Sequence, residues 1–144
     1  MAAKQLAAIR VRGITEIRIK IEDTLRMLRL YRKNYCVVVP NNPVYLGMLK
    51  KVKDYITWGE INDETFENLI EKRGEIFNGM ERDSNEKISY NDFFVFKDKK
   101  IKRYFRLSPP VKGFGRKGIK HSFQQGGALG YRGDKINDLL KRMV

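Results

Sequence analysis

The chain has 144 residues, 42% of them hydrophobic, and a formal net charge of +13. That is enough for the core of one domain, or of one small domain with an extension, and no apolar run approaches the roughly 20 residues needed to span a bilayer. A surface this basic repels itself and points to a polyanionic partner, with a membrane surface the weaker candidate.

The single cysteine, Cys36, excludes an intrachain disulfide; it lies in an apolar run, where a packed and inert thiol is expected. The amino terminus, MAAKQLAAIRVRG, has no signal-peptide core of useful length, and these features together fit a cytosolic protein. The charge is segmented. Residues 1–59 hold twelve basic and four acidic side chains, a net +8; residues 60–86 hold three and nine, a net −6; residues 87–144 hold fifteen and four, a net +11. An acidic segment between two basic ones suggests a face turned away from the polyanion, or one that meets basic protein neighbours.

In chain order, Leu6 to Val11 reads as a first strand, with Arg10 and Arg12 on one parity and so on one side. Gly13 breaks it. Thr15 can cap a helix from about Glu16 to Leu30, whose buried stripe is Ile17, Ile21, Leu25 and Leu28 while Arg26, Arg29 and Arg32 face water. The turn Tyr31-Arg32-Lys33-Asn34 leads into Tyr35-Cys36-Val37-Val38-Val39, a short β-branched run that suits a buried strand and stops at Pro40. Asn42-Pro43 opens a second helix as N-cap and first position; Leu46, Leu49, Val52 and Ile56 repeat at helical spacing, and Lys50, Lys51 and Lys53 point largely away from them. Thr57 to Ile61 reads as a third strand, with the only tryptophan, Trp58, expected in the core or an interface. The order β-α-β-α-β predicts a three-stranded sheet with two helices on one face, the other face being left to a partner or to the rest of the chain.

Asn62 or Asp63 caps a third helix, about Glu64 to Ile76, with Phe66, Leu69, Ile70 and Phe77 on its apolar side and Glu64 and Glu67 near the positive end of its dipole. Gly79 to Glu86 reads as a loop. Tyr90 to Phe96 fits a short helix capped by Ser89 or part of a strand, and is assigned here as helix; Lys102 to Leu107 reads as a strand with Arg106 on one of its alternating sides. Ser108 to Gly133 then carries two prolines and seven glycines, and Lys99 to Lys120 holds nine cations and no acid. With Phe114, Ile119 and Phe123 too sparse for a core of its own, this stretch is expected to order against a phosphate backbone. Asp134 is expected to cap a last helix whose Ile136, Leu139, Leu140 and Met143 pack back on the domain.

The basic Gly-rich stretch is the strongest functional signal. Glycines admit close backbone approach, lysine and arginine make charge-assisted contacts to phosphate, and Phe114, His121, Phe123 and Tyr131 could stack on unpaired bases. GGALGYRG lacks the Lys-Ser/Thr ending of a phosphate-binding P-loop and follows no clear strand. His121 is the sole histidine and has no partner for a zinc site or a triad, and Glu64, Glu67 and Glu71 share a helix face without a matching base. No catalytic constellation and no cofactor or metal site is expected. A free-standing chaperone or regulator of RNA or DNA is the second reading; no helix-turn-helix, zinc-finger or RNA-recognition-motif signature supports it.

The run TLRMLRLYRKNYCVVVPNNPVYLGMLKKVKDYITWGEI resembles the large-subunit ribosomal protein family called L-thirty, through its TL-x-x-L-x-L-x-R opening and the G-M-L-x-x-V-x-x-Y pattern from Gly47 to Tyr55. LSPPVKGF and GGALGYRGDKIN are similar to the extension of its archaeal and eukaryotic members, the eukaryotic one being called L-seven; the short amino terminus favours the archaeal type. The resemblance implies an α+β, ferredoxin-like β-α-β-α-β core over residues 1–61 and a helical, basic, loop-rich extension over 62–144. It implies a structural, non-enzymatic role in the large subunit of the cytoplasmic ribosome as a monomer, contact with large-subunit rRNA in the 5S rRNA region, and neighbouring ribosomal proteins at the acidic helix 63–77. Arg10, Arg12, Arg29, Arg32 and Lys33 of the core, and Lys112, Arg116, Lys117, Lys120, His121 and Arg132 of the extension, are then RNA-facing candidates, with Lys50, Lys51, Lys53 and Arg106 as further ones.

Overall fold

The computed structural model describes residues 5–13, 17–76, 99–111, 113–114 and 117–144, together with the backbone of 93–96. The core follows the alternating pattern: β1 (Gln5–Arg10), α1 (Ile19–Met27), β2 (Tyr35–Pro40), α2 (Pro43–Lys51), β3 (Ile56–Ile61). Strand β1 is central and antiparallel to both β2 and β3, with Ala8 opposite Val37 on one side and Trp58 on the other. The extension adds α3 (Asp63–Arg73), a hairpin of β4 (Phe93–Phe96) and β5 (Lys99–Lys102), then β6 (Tyr104–Arg106), β7 (Gly130–Tyr131) and α4 (Ile136–Met143). Strands β6 and β7 lengthen the core sheet to five, in the order β6-β2-β1-β3-β7, with only β3 and β7 parallel.

Alternation along β1 sorts the side chains to two cores. Leu6 and Ala8 face Leu25 and Leu28 of α1, Leu49 and Val52 of α2, and Trp58. Ala7 and Ile9 face the other way, toward Cys36, Leu69 and Ile70 of α3, Phe105, and Ile136, Leu139 and Leu140 of α4. The face left open by the core pattern is therefore covered by the chain's own extension. Helix α4 has no side-chain N-cap bond. A missing cap costs about 1 kcal/mol, whereas each of the buried Ile136, Leu139, Leu140 and Met143 gains roughly 1.5–3 kcal/mol, so burial decides its position.

Local signals explain most boundaries. Asn42 accepts a hydrogen bond from the Tyr45 amide at 3.0 Å, with Pro43 at the first helical position, and Asn62 accepts from the Thr65 amide at 2.7 Å. Helix α1 begins at Ile19 rather than near Glu16; Thr15 and Glu16 lie outside the described residues. It ends before Leu30 because Arg29 takes φ 63°, the Leu30 amide donates back to the Leu25 carbonyl, and the Arg29 amide donates to Arg26. These two bonds form the Schellman closure, here without glycine.

Several expectations are corrected. Helix α2 stops at Lys51, and Ile56, in phase with its stripe, is instead the first residue of β3. Helix α3 closes at Arg73, short of Ile76. Phe93–Phe96 is a strand, not a helix, because Lys99–Lys102 lies antiparallel beside it and satisfies its backbone; residues 77–92 lie outside the described residues. The strand expected over Lys102 to Leu107 is two pieces broken at Arg103, β5 pairing with β4 and β6 with β2. Asp134 does not cap α4: a 3₁₀ turn over Gly133–Lys135 precedes the helix, and the Asp134 carbonyl accepts from Asn137 Nδ2 at 2.9 Å.

Candidate nucleic-acid interface

Strand direction gathers the basic segments at one end of the sheet. Strand β1 leaves there, while β2 and β3 enter, since Ile9 lies opposite Cys36 and Arg10 opposite Ile56. Strand β6 also leaves there, with Arg106 opposite Tyr35, and β7 enters there, with Gly130 opposite Thr57. The turns at 11–13, 31–34 and 52–55 and the stretch from Leu107 to Leu129 must therefore meet at this end. Backbone bonds tie them together: Asn34 N to Arg10 O at 2.7 Å, Val11 N and Arg12 N to Tyr55 O at 2.9 and 3.2 Å, and Leu107 N to Asn34 O at 3.1 Å.

The exposed cations at this end come from both halves of the chain. Arg32 and Lys33 lie on the turn into β2, Lys53 on the turn into β3, and Lys117 and Lys120 on the Gly-rich stretch, where His121 is also exposed. Lys50 and Lys51 are exposed on the last turn of α2, which points the same way. Arg12 is half-buried with its guanidinium 5.2 Å from the Tyr55 ring centroid, a cation–π placement that fixes the charge at the rim. Two open clefts separate these groups. One runs between Arg32, Lys33, Phe114 and Ile119; the other runs between Lys53, Trp58, Lys120 and Tyr131.

Two candidates at this end are buried beneath the surface. Arg10 is only 2% exposed, and donates Nη1 to Leu30 O at 2.8 Å, Nε to Arg12 O at 3.0 Å and Nη2 to Gly13 O at 3.2 Å. Burial pushes its pKa down, and Glu22 offsets part of this. Arg132 is 6% exposed, with Nε donating to Thr57 Oγ1 at 2.7 Å and Nη2 to the Phe114 and Ala128 carbonyls at 3.0 and 3.1 Å. Its guanidinium also lies 4.7 Å from the Phe123 ring centroid, and burial, helped by Arg142, pushes its pKa down to about 10. The structure therefore buries both expected RNA-facing arginines as interior staples, each giving three of its five N–H donors to backbone carbonyls or a hydroxyl.

Of the rest, Arg29 is the half-buried closing residue of α1. Arg106 is exposed, but its guanidinium forks onto Glu75, which raises its pKa and occupies its charge. Lys112 and Arg116 lie outside the described residues.

The Gly-rich stretch carries more internal order than its composition suggests. Ala128 and Leu129 are buried against Val11, and the Ala128 and Leu129 amides donate to His121 O at 2.9 and 3.0 Å. Gly127 is required here, since a Cβ would overlap the His121 carbonyl. Thr57, which anchors Arg132, and Tyr55, which carries Arg12, also build the site; the β3 pattern beside them is legible in the sequence, but their role is not, because their partners lie far along the chain. Burial also pushes the Cys36 thiol pKa up, in keeping with an inert packed group. Among the described residues, no three His, Cys, Asp or Glu side chains cluster to hold a metal, and no helix is long and apolar enough to cross a membrane.

The family model described as Ribosomal protein L30p/L7e matches residues 6–56. A large ribosomal subunit protein uL30 of Nanoarchaeum equitans is 46% identical, covering 96% of this chain and 97% of its own length. The chain belongs to this family. Other L30p/L7e relatives agree: uL30 of Methanopyrus kandleri is 47% identical over 93% of this chain and all of its own length, and that of Methanococcus vannielii is 48% identical over 96% and 98%. The family model ends at the first residue of β3, whereas these full-length relatives match through the extension as well.

Proposed function

We propose that the protein is a structural, non-enzymatic constituent of the large ribosomal subunit that binds large-subunit rRNA, in the region of the 5S rRNA, through the basic end of its sheet. Family membership supports the ribosomal placement, and with it a cytoplasmic location. The observation that carries the RNA reading is the meeting of Arg32, Lys33 and Lys53 from the core with Lys117 and Lys120 from the extension at one sheet end. Such a surface neutralises phosphates on neighbouring strands and fills the space between RNA helices; no turnover is involved. Contacts go mainly to backbone and shape, because the deep groove of A-form RNA hides base edges. The acidic outer positions of α3, Asp63, Glu64, Glu67 and Glu71, lean away from phosphate and suit a basic protein neighbour.

Crosslinking in intact cells followed by RNA sequencing tests this reading. Crosslinks concentrated on large-subunit rRNA at residues 31–33 and 117–121 are expected. Crosslinks spread over many messages, with few on rRNA, would favour a free-standing RNA-binding protein instead.

A further inference from the structure

The cleft beside β7 has a composition that phosphate neutralisation alone does not require. It holds about 420 Å³ between the turn that follows α2 and the Gly-rich stretch. Lys53 stands on one wall and Lys120 on the other, and both are exposed. Trp58 and Tyr131, opposite one another in the parallel β3–β7 ladder, form the aromatic side, with ring centroids 6.1 Å apart and tilted by 52°. The exposed amide side chains of Gln124 and Gln125 border the same space.

The Tyr131 ring is held before any ligand arrives. Its hydroxyl donates to the Glu60 carboxylate, at 2.6 and 2.7 Å from the two oxygens, while 47% of the residue stays exposed. A ring fixed at its far end and open on one face loses little freedom when a planar group stacks on it. A purely phosphate-binding groove has no use for a pinned aromatic face or for two amides that both donate and accept. Lysines on both walls at the same opening supply the charge for the flanking backbone.

The geometry points to a subsite for one unpaired nucleotide of the RNA strand. Its base stacks on Tyr131 beside Trp58, its edge meets Gln124 or Gln125, and its flanking phosphates lie at Lys53 and Lys120. This deepens the rRNA-binding reading and rests on it, since a splayed-out base is the feature by which single-stranded RNA is distinguished from duplex.

Trp58 is the only tryptophan and so reports on this cleft directly. The test titrates the full chain with a single-stranded ribohexamer of mixed sequence and with an abasic ribose-phosphate hexamer of equal charge, following tryptophan emission. The base-carrying hexamer is expected to change the emission and to bind about tenfold more tightly than the abasic one. Tyr131→Ala and the double variant Q124A/Q125A, the latter at exposed positions, should each remove most of that advantage; Tyr131→Phe, which keeps the ring but loses its tether to Glu60, should retain more of it than Tyr131→Ala. Equal affinity for the two hexamers, or full retention of the advantage in both Tyr131→Ala and Q124A/Q125A, would overturn the subsite. Binding to large-subunit rRNA is measured in parallel. Its loss would overturn the rRNA reading itself, whereas its persistence beside equal hexamer affinities would remove the subsite alone.

Discussion

Arg132 Nε donates to Thr57 Oγ1 at 2.7 Å, and the same hydroxyl donates to the Gly130 carbonyl at 2.8 Å. One arginine thus links strand β3 to the Gly-rich stretch, 75 residues further along the chain. With Phe114 O and Ala128 O also served, this residue holds the basic stretch in place before any RNA is present.

Arg132→Ala should leave three acceptors, two buried and one part-buried, without their donor and destabilise the chain by about 2–3 kcal/mol, the scale for hydrogen bonds to a charged group. Arg132→Lys should recover little of this, because a single ammonium cannot reproduce the planar fork. Thermal unfolding measures the loss, and hydrogen exchange should show faster exchange at Ala128 and Leu129 than in β1. Equal protection in the variant would mean that the stretch is held by something else.

Two glycines should respond in opposite directions. A Cβ on Gly59 would sit on the Gly133 carbonyl and crowd Ile136, so Gly59→Ala should push α4 off the sheet and cost at least about 1–3 kcal/mol. Gly47 lies in α2 with nothing within 4 Å of a built Cβ, so Gly47→Ala should stabilise by up to about 1 kcal/mol. Chemical denaturation of the two variants checks both signs at once.

Alkaline unfolding should carry a signature of Tyr131. The hydrogen bond to Glu60, then burial, push its phenol pKa up to about 12 from the ordinary 10. The folded state therefore holds this proton more tightly than the unfolded one. The stabilisation is complete below pH 10 and disappears as pH rises through about 12. The difference in melting temperature between the native chain and Tyr131→Phe should shrink across that window. A difference that stays constant would show that the Glu60 pair adds nothing.

The buried and exposed arginines should separate cleanly. Arg10→Met should lower stability because the Arg12, Gly13 and Leu30 carbonyls lose their donor. Arg32→Ala, at an exposed turn, should leave stability within about 0.5 kcal/mol while weakening RNA binding. Paired melting and binding measurements on both variants test the assignment.

The core order β-α-β-α-β could be read from periodicity, caps and the apolar run at Tyr35–Val39, because those signals are local. What failed was non-local. Phe93–Phe96 is too short for periodicity to separate helix from strand, and its partner strand decides the matter. Ile56 continues the α2 stripe in phase, yet it packs in the same core from a strand, so burial alone did not mark the boundary. Arg10 and Arg132 looked like surface cations by residue type, and only the fold brings backbone carbonyls around them. The Gly-rich stretch reads as unable to fold because Phe114, Ile119 and Phe123 are too sparse for a core of their own; its Ala128 and Leu129, with Phe114 beside them, instead pack on Val11 just beyond β1. The exposed members of the candidate interface, Arg32, Lys33, Lys53, Lys117 and Lys120, were legible as cations, but their gathering at one sheet end follows from strand direction.

The most direct test of the proposed RNA-binding surface is the salt dependence of binding to large-subunit rRNA. The slope of log affinity against log salt should fall by roughly 0.7–0.9 for each phosphate contact removed. The variant carrying Arg32→Ala, Lys33→Ala, Lys117→Ala and Lys120→Ala should therefore show a markedly shallower slope and weaker binding. Lys135→Ala, in the turn near the opposite end of the sheet beside Asn137 and Asn62, should match the native chain. A slope unchanged in the quadruple variant, or lowered as much by Lys135→Ala, would contradict an interface at the basic end of the sheet.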